Sequence, residues 1–210
     1  GSLVKVEVGG TVNMYGTMLT NNKNQDGHGS GLSNNGTAYL ESVQVLNNHF
    51  NPDSQYFKKC TNAFGDEKYC VGGGLKNSGI MTVVSCTITG NQATCGGGIY
   101  TSGSMQNGGY AYTVIRGTTD ISGNQVHNYG GINCARGGGI AVAPKTSETV
   151  NCGVLAVYAD NGVTSIHGNT SKGSAAGVYN NGLCNLYSTR IYENTAAEHA
   201  AVWNGESNGN

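Results

Sequence analysis

The sequence predicts an all-β chain wound into a single parallel β-helix, a β-solenoid of about six coils of about 24 residues carrying loop insertions. Three recurrences predict it. A small-residue triplet followed by an aliphatic residue returns along the chain, setting anchors at Val6, Leu32, Leu75, Ile99, Ile140, Val178 and Val202, with minimum spacings of 24 and 26 residues. A turn glycine follows four residues after the anchor, at Gly10, Gly36, Gly79, Gly103 and Gly182. An asparagine stands 12 residues beyond that glycine at Asn22, Asn48, Asn91 and Asn194, and Asn124 and Asn169 hold the same place in interrupted copies.

Each coil is justified by its own alternation. Residues 3–22 place Val12, Met14, Thr17 and Leu19 on one side, as a half-buried strand does. Residues 32–48 repeat this with Ala38, Leu40, Val43 and Val45. Met81, Val83, Cys86 and Ile88 follow in 75–91, and Cys184, Leu186, Thr189 and Ile191 in 178–194. Relative to the turn glycine the inward set is always +2, +4, +7 and +9. The step of three marks a corner, occupied by Gly16, Ser42, Ser85 and Ser188. Two short strands flank that corner and a third surrounds the anchor, so three strands per coil are expected.

The long spacings carry insertions, near 51–70, 104–109, 126–136 and 143–150, with a smaller one at 159–162. Insertions in solenoids form loops on the flanks. The repeat runs through all 210 residues without a linker, which predicts one domain.

Composition excludes several functions. Only 11% of residues are charged, the formal net charge is −1, and no basic cluster exists, so nucleic acid is not an expected partner. No apolar run is long enough for a membrane-spanning helix, and no membrane insertion is expected. Thirty-five glycines follow no three-residue period, which excludes collagen. Seven cysteines point to an oxidising compartment.

The motifs Gly96-Gly97-Gly98-Ile99 and Gly137-Gly138-Gly139-Ile140, with Ala175-Ala176-Gly177-Val178 and His199-Ala200-Ala201-Val202, pair with Ile88-Thr89-Gly90-Asn91 and Ile191-Tyr192-Glu193-Asn194. This pattern resembles the polymorphic outer-membrane protein repeats of bacterial autotransporter passengers and related right-handed extracellular β-helices. The resemblance covers nearly the whole chain. It implies a right-handed coil, an extracellular or cell-surface location, and an adhesive role toward a glycan or protein ligand.

Stacked coils bring equivalent residues about 4.8 Å apart, so the six asparagines are expected to form an inward hydrogen-bonded ladder. Asn169-Thr170-Ser171 matches a glycosylation sequon, but its asparagine belongs to that ladder. Asn35, in Asn35-Gly36-Thr37, lies on a turn and is the candidate acceptor in a eukaryotic secretory host. Cys86 and Cys184 fall at inward strand positions, as small buried hydrophobes do. Cys60, Cys70, Cys95 and Cys134 fall between asparagine and glycine triplet, where disulfides Cys60–Cys70 and Cys95–Cys134 are expected. A metal site of Cys70, Cys95, Cys134 and His127 is the alternative, without the C-x-x-C pair that would favour it. Tyr179 and Trp203 follow their anchors at matching positions, and Tyr158 and Tyr187 match beside the serine corner. These pairs are either surface packing or, with Asn180, Asn181 and Asn204, a sugar-stacking platform.

No catalytic site or cofactor is expected. A polysaccharide-degrading β-helix needs clustered carboxylates or an arginine base, whereas Asp120, Glu148, Asp160 and Glu193 fall in unrelated places, as do Arg116, Arg136 and Arg190. An ice-binding face needs a column of Thr-x-Thr, and only Thr87-Ile88-Thr89 supplies it. The expected function is a non-enzymatic extracellular structural solenoid. Its outer coils, marked by Leu3, Val6 and Val12 at one end and Val202 and Trp203 at the other, would stack head to tail into a filament. The partner is then the chain itself or a longer parent chain. An adhesin-like passenger fragment binding glycan or protein is the alternative.

Overall fold

A computed structural model describes residues 2–24, 29–51, 71–103, 109–128, 135–144, 152–158, 160 and 162–205. Among them every strand pairing is parallel and joins one coil to the next, giving four sheets of seven, six, six and six strands. The chain is a parallel β-solenoid.

The anchor sheet stacks Val4–Val6, Leu32–Asn34, Leu75–Asn77, Ile99–Thr101, Ile140–Val142, Val178–Asn180 and Val202–Asn204. The broad sheet stacks Thr11–Tyr15, Thr37–Glu41, Ile80–Val84, Ala111–Arg116, Gly153–Val157 and Leu183–Leu186. The narrow sheet stacks Met18–Thr20, Gln44–Leu46, Thr87–Thr89, Asp120–Ser122, Thr164–His167 and Thr189–Tyr192. A fourth, short sheet stacks Lys23–Asn24, His49–Phe50, Gln92–Ala93, Gln125–Val126, Thr170–Ser174 and Thr195–Glu198. Each coil thus has four strands rather than the three expected. The extra strand is mostly two residues long, too short to show alternation in a sequence.

Alternation fills the interior. Leu40, Val45, Met81, Val83, Ile88, Ile115, Ile121, Leu155 and Ile166 are fully buried. Val12, Met14, Cys184, Leu186 and Ile191 occupy equivalent positions but are only partly buried, because the outer coils have a neighbour on one side. The first anchor is displaced from the expectation. Val4, not Val6, pairs with Leu32, and Val6 pairs with Asn34. A turn closed by the Gly10 N–H on the Glu7 carbonyl (2.9 Å) absorbs the two extra residues, and Val12 then pairs with Ala38 in the common register.

The corner between broad and narrow sheets is left-handed on five coils, with φ of 55° at Gly16, 55° at Ser42, 50° at Ser85, 65° at Gly117 and 45° at Ser188. It turns the chain without interrupting the inward columns on either side. Of the insertions expected from the spacing, 52–70, 104–108, 129–134 and 145–151 lie outside the described residues. Val126 and Ala143 remain on the coil: Val126 pairs with Ala93 and Ser171, and the Ala143 N–H donates to the Thr101 carbonyl.

Candidate functional surface

The asparagine column runs down the interior corner between the narrow and short sheets. Asn48, Asn91, Asn124 and Asn169 are fully buried. Each side-chain NH2 donates to the amide oxygen of the next coil: Asn22 to Asn48 (2.6 Å), Asn48 to Asn91 (3.0 Å), Asn91 to Asn124 (2.9 Å), Asn124 to Asn169 (3.0 Å) and Asn169 to Asn194 (2.9 Å). The backbone N–H of the same residue donates to that same oxygen. The second amide proton goes back to a carbonyl of the preceding coil, such as Leu19 for Asn48 and Val45 for Asn91. On the inner coils the groups are fully engaged and inaccessible, an arrangement that fixes coil spacing and has no chemistry to offer a substrate. Asn169 of the sequon is buried here, while Asn35 is half-buried in its turn.

A second polar column was missed by the sequence reading. Asn34 donates to Asn77 (2.8 Å), Asn77 to the Thr113 hydroxyl (2.9 Å), and Asn180 to Asn204 (2.6 Å). Its signal was the recurrent Asn-x-Gly, since the Asn34, Asn77 and Asn180 side chains also accept from Gly36, Gly79 and Gly182 N–H. Thr101 and Val142 interrupt the column.

The outward side of the broad sheet is the most varied surface described. Tyr15, Ile80, Tyr112, Leu183 and, just past its strand, Tyr187 are 42–63% exposed. Between the Tyr15–Tyr39 pair (ring centroids 5.8 Å) and the parallel Tyr158–Tyr187 pair (6.3 Å), the surface falls away. A basin of about 560 Å3 lies there, lined by Tyr39, Thr82, Val84, Ser85, Arg116, Gly117 and Asp160. The Arg116 guanidinium bridges to the Asp160 carboxylate and lies 5.1 Å from the centre of the Tyr158 ring. The Tyr39 hydroxyl donates to Glu41 (2.9 Å), which raises the phenol above its ordinary range. Asp160 was expected to stand apart from the other carboxylates and Arg116 from the other arginines; the structure joins these two to each other, Asp160 reaching the pair from an insertion.

No protein-family model, curated protein or solved structure matches this chain.

On the narrow face, His167 meets Asp120 at 3.0 Å and stacks on Tyr192 (4.6 Å, 3° between planes). The Ser122 hydroxyl donates to the other oxygen of Asp120 (3.0 Å). Serine and histidine each engage a separate oxygen of the one carboxylate. Thr87 and Thr89 pair with Gln44 and Leu46 on one side and Asp120 and Ser122 on the other, which leaves no Thr-x-Thr column.

On the outer face of the anchor sheet, Arg136 lies 5.3 Å over Tyr179, and Tyr179 stacks on Trp203 at 4.4 Å. Tyr179 is buried (7%), so it cannot serve as an open sugar platform. Asn180 alternates to the opposite, inward side, where it meets Asn204. Asn180 and Asn204 are therefore separated from the aromatic stack they were expected to assist.

Cys86 and Cys184 sit in the interior columns, and with Cys152 they are unbridged thiols. Burial raises both the Cys86 and Cys184 thiols, Cys184 to about 11. The Cys95 backbone forms isolated parallel β-bridges with Val71 and Arg136. Cys60, Cys70 and Cys134 are outside the described residues, and with them both expected disulfides and the cysteine metal site. Burial and then the Lys172 charge hold the His127 imidazole below its usual range. Among the described residues no three His, Cys, Asp or Glu side chains converge as metal ligands, and no helix is long and apolar enough to cross a membrane.

At the outer rungs Leu3 is 53% and Val202 42% exposed, Val6 is buried, and Val12 and Trp203 are intermediate.

Proposed function

We propose that this chain is a non-enzymatic structural β-solenoid working outside the cell or at its surface, whose outer rungs accept further rungs head to tail to build a filament. The observation that supports it is the polarity of the asparagine ladder. Every amide-to-amide bond of the ladder donates toward the higher-numbered coil. At the outer rungs, among the described residues, the Asn22 amide oxygen has no donor and the Asn194 backbone N–H no acceptor, while the Asn194 side-chain NH2 reaches back to the Ile166 carbonyl. A donor rung facing an acceptor rung repeats the bond used at every inner step, and such heterologous contacts do not close. The exposed Val202 and Leu3 would be covered by the same contact.

The partner is a second copy, or further coils of a longer parent chain. Location rests on the likeness of the Gly-Gly-Gly-aliphatic and aliphatic-x-x-Asn motifs to polymorphic outer-membrane protein passenger repeats, and on the cysteine content.

Sedimentation velocity and negative-stain imaging over a wide concentration range test this reading. Growth into unbranched rods, abolished by Asn194→Ala together with Asn22→Ala, supports it. A monodisperse monomer at the highest concentrations overturns it.

A further inference from the structure

We propose that the basin on the broad sheet is a binding site for a neutral oligosaccharide. The proposal stands apart from head-to-tail stacking, because the basin lies on the flank and not on the outer rungs.

The register explains why a basin exists. One outward column carries Tyr15, Glu41, Val84 and Arg116 on successive coils, and the next carries Asn13, Tyr39, Thr82 and Val114. Large side chains stand at both ends, while Thr82 and Val84 form a low floor between them. From Tyr39 to Arg116 is two coil steps, roughly 10 Å at about 4.8 Å per step. That is a groove along the solenoid axis, long enough for a short linear chain of rings.

Its chemistry selects the ligand. Tyr39 lines one end, packed against Tyr15, which is 63% exposed, while at the other end the Arg116 guanidinium covers the Tyr158 ring. The Tyr39 and Tyr15 rings offer an apolar edge to the C–H face of a sugar while the Tyr39 hydroxyl is held by Glu41. Alongside stand a guanidinium, a carboxylate and a hydroxyl, from Arg116, Asp160 and Ser85. The Arg116–Asp160 pair is about half exposed, at 48% and 46%. Its value to folding is small at that exposure, yet pairing holds both groups in place with donors and acceptors still facing outward. Fixed donors and acceptors beside apolar ring faces suit vicinal hydroxyls. An anionic ligand is disfavoured, because Arg116 is already neutralised and Glu41 stands nearby. An apolar ligand would strip water from three charged groups without replacing it.

The test is isothermal titration of the purified chain with cellohexaose, xylohexaose, mannohexaose, chitohexaose and hexagalacturonate. Saturation-transfer NMR then reports which protons lie against aromatic rings. Binding of at least one neutral hexasaccharide with Kd on the order of 1 mM or tighter is expected. Tyr39→Ala, Arg116→Ala and Asp160→Asn should each weaken it by about tenfold or more, while Arg190→Ala on the narrow face leaves it unchanged. Tyr39→Leu, which keeps bulk but removes ring and hydroxyl, replaces Tyr39→Ala if the latter does not fold. The proposal is overturned if no neutral hexasaccharide binds at about 10 mM. Binding of hexagalacturonate alone, or binding that survives substitution of both Tyr39 and Arg116, overturns it equally.

Discussion

Asn91 gives both its backbone N–H and its side-chain NH2 to one acceptor, the amide oxygen of Asn124, at 2.9 Å each. Its own oxygen receives the same two donors from Asn48. One residue type at one corner therefore closes four hydrogen bonds per coil boundary pair and reaches the Val45 carbonyl as well. No aliphatic residue or carboxylate of similar size has both the donors and the acceptor this requires.

Asn91→Ala is expected to destabilise the chain by about 3–5 kcal/mol, since it leaves two buried Asn48 donors without their acceptor and removes the donors to Asn124 and Val45 that the side chain supplies. Asn22→Ala, at a half-buried outer rung with one neighbour, should remove only about 1 kcal/mol. Urea unfolding of the two variants checks the contrast. Equal effects would mean that the ladder accompanies the stack without holding it.

Much of the fold is legible in the sequence because the solenoid repeats one solution. Ala38, Leu40, Val43 and Val45 repeat as Met81, Val83, Cys86 and Ile88, and all eight are buried to within about 1% exposure. What escapes is whatever breaks or falls outside the period. Lys23–Asn24 and Gln92–Ala93 are strands too short to alternate. Val4 takes the first anchor position because the turn at Glu7–Gly10 holds two extra residues. The basin escapes for both reasons. Tyr39, Val84 and Arg116 are outward residues, free of the core's restrictions, and Asp160 joins them from an insertion. Tyr179 looks exposed by alternation, yet Arg136 and Trp203 cover it from neighbouring coils.

Adjacent residues of one strand should respond oppositely to charge. Val83 is fully buried and pairs with Leu40 and Ile115, whereas Val84 faces outward beside Glu41 and Arg116. Val83→Asp places an unpaired carboxylate in a narrow core and should unfold the chain, a loss above about 4 kcal/mol. Val84→Asp should change stability by under about 1 kcal/mol. Circular dichroism melts decide it, and a cooperatively folded Val83→Asp protein would reject this register.

Cys184 gives the fold an alkaline weakness. Burial pushes its thiol up to about 11, above the roughly 8.5 of an unfolded cysteine. Below about 8.5 both states keep the proton and its stabilising contribution is complete. As pH rises toward about 11 the unfolded chain releases its proton first, so that contribution is lost progressively. Cys184→Ala should therefore show a shallower fall in urea midpoint than the native chain between those limits. At pH 8 the native Cys184 thiol should also resist iodoacetamide until denaturant is added. Parallel pH profiles for the two proteins would show that the thiol does not contribute.

Ala201 controls what the last described rung can accept. The third residue of each triplet faces a carbonyl of the next coil: a methyl group added at Gly74, Gly98 or Gly139 would lie 2.8, 2.7 or 2.8 Å from the Gly98, Gly139 or Gly177 oxygen. At Gly177 it would be driven into the Ala201 oxygen. Glycine is needed there because a coil sits on top. Ala201 holds the same column with no coil above it among the described residues, so its methyl group obstructs a further rung stacked in the same way. Ladder polarity favours that rung while this methyl opposes it, so head-to-tail association should be weak in the native chain. Ala201→Gly should strengthen it, shifting the concentration at which rods appear downward by about tenfold, equivalent to 1.4 kcal/mol per junction. Ala201→Val should prevent rods without altering the melt, because the site is exposed. Sedimentation velocity across a dilution series reads both effects. Identical behaviour of the glycine, alanine and valine forms would show that this edge takes no part in assembly.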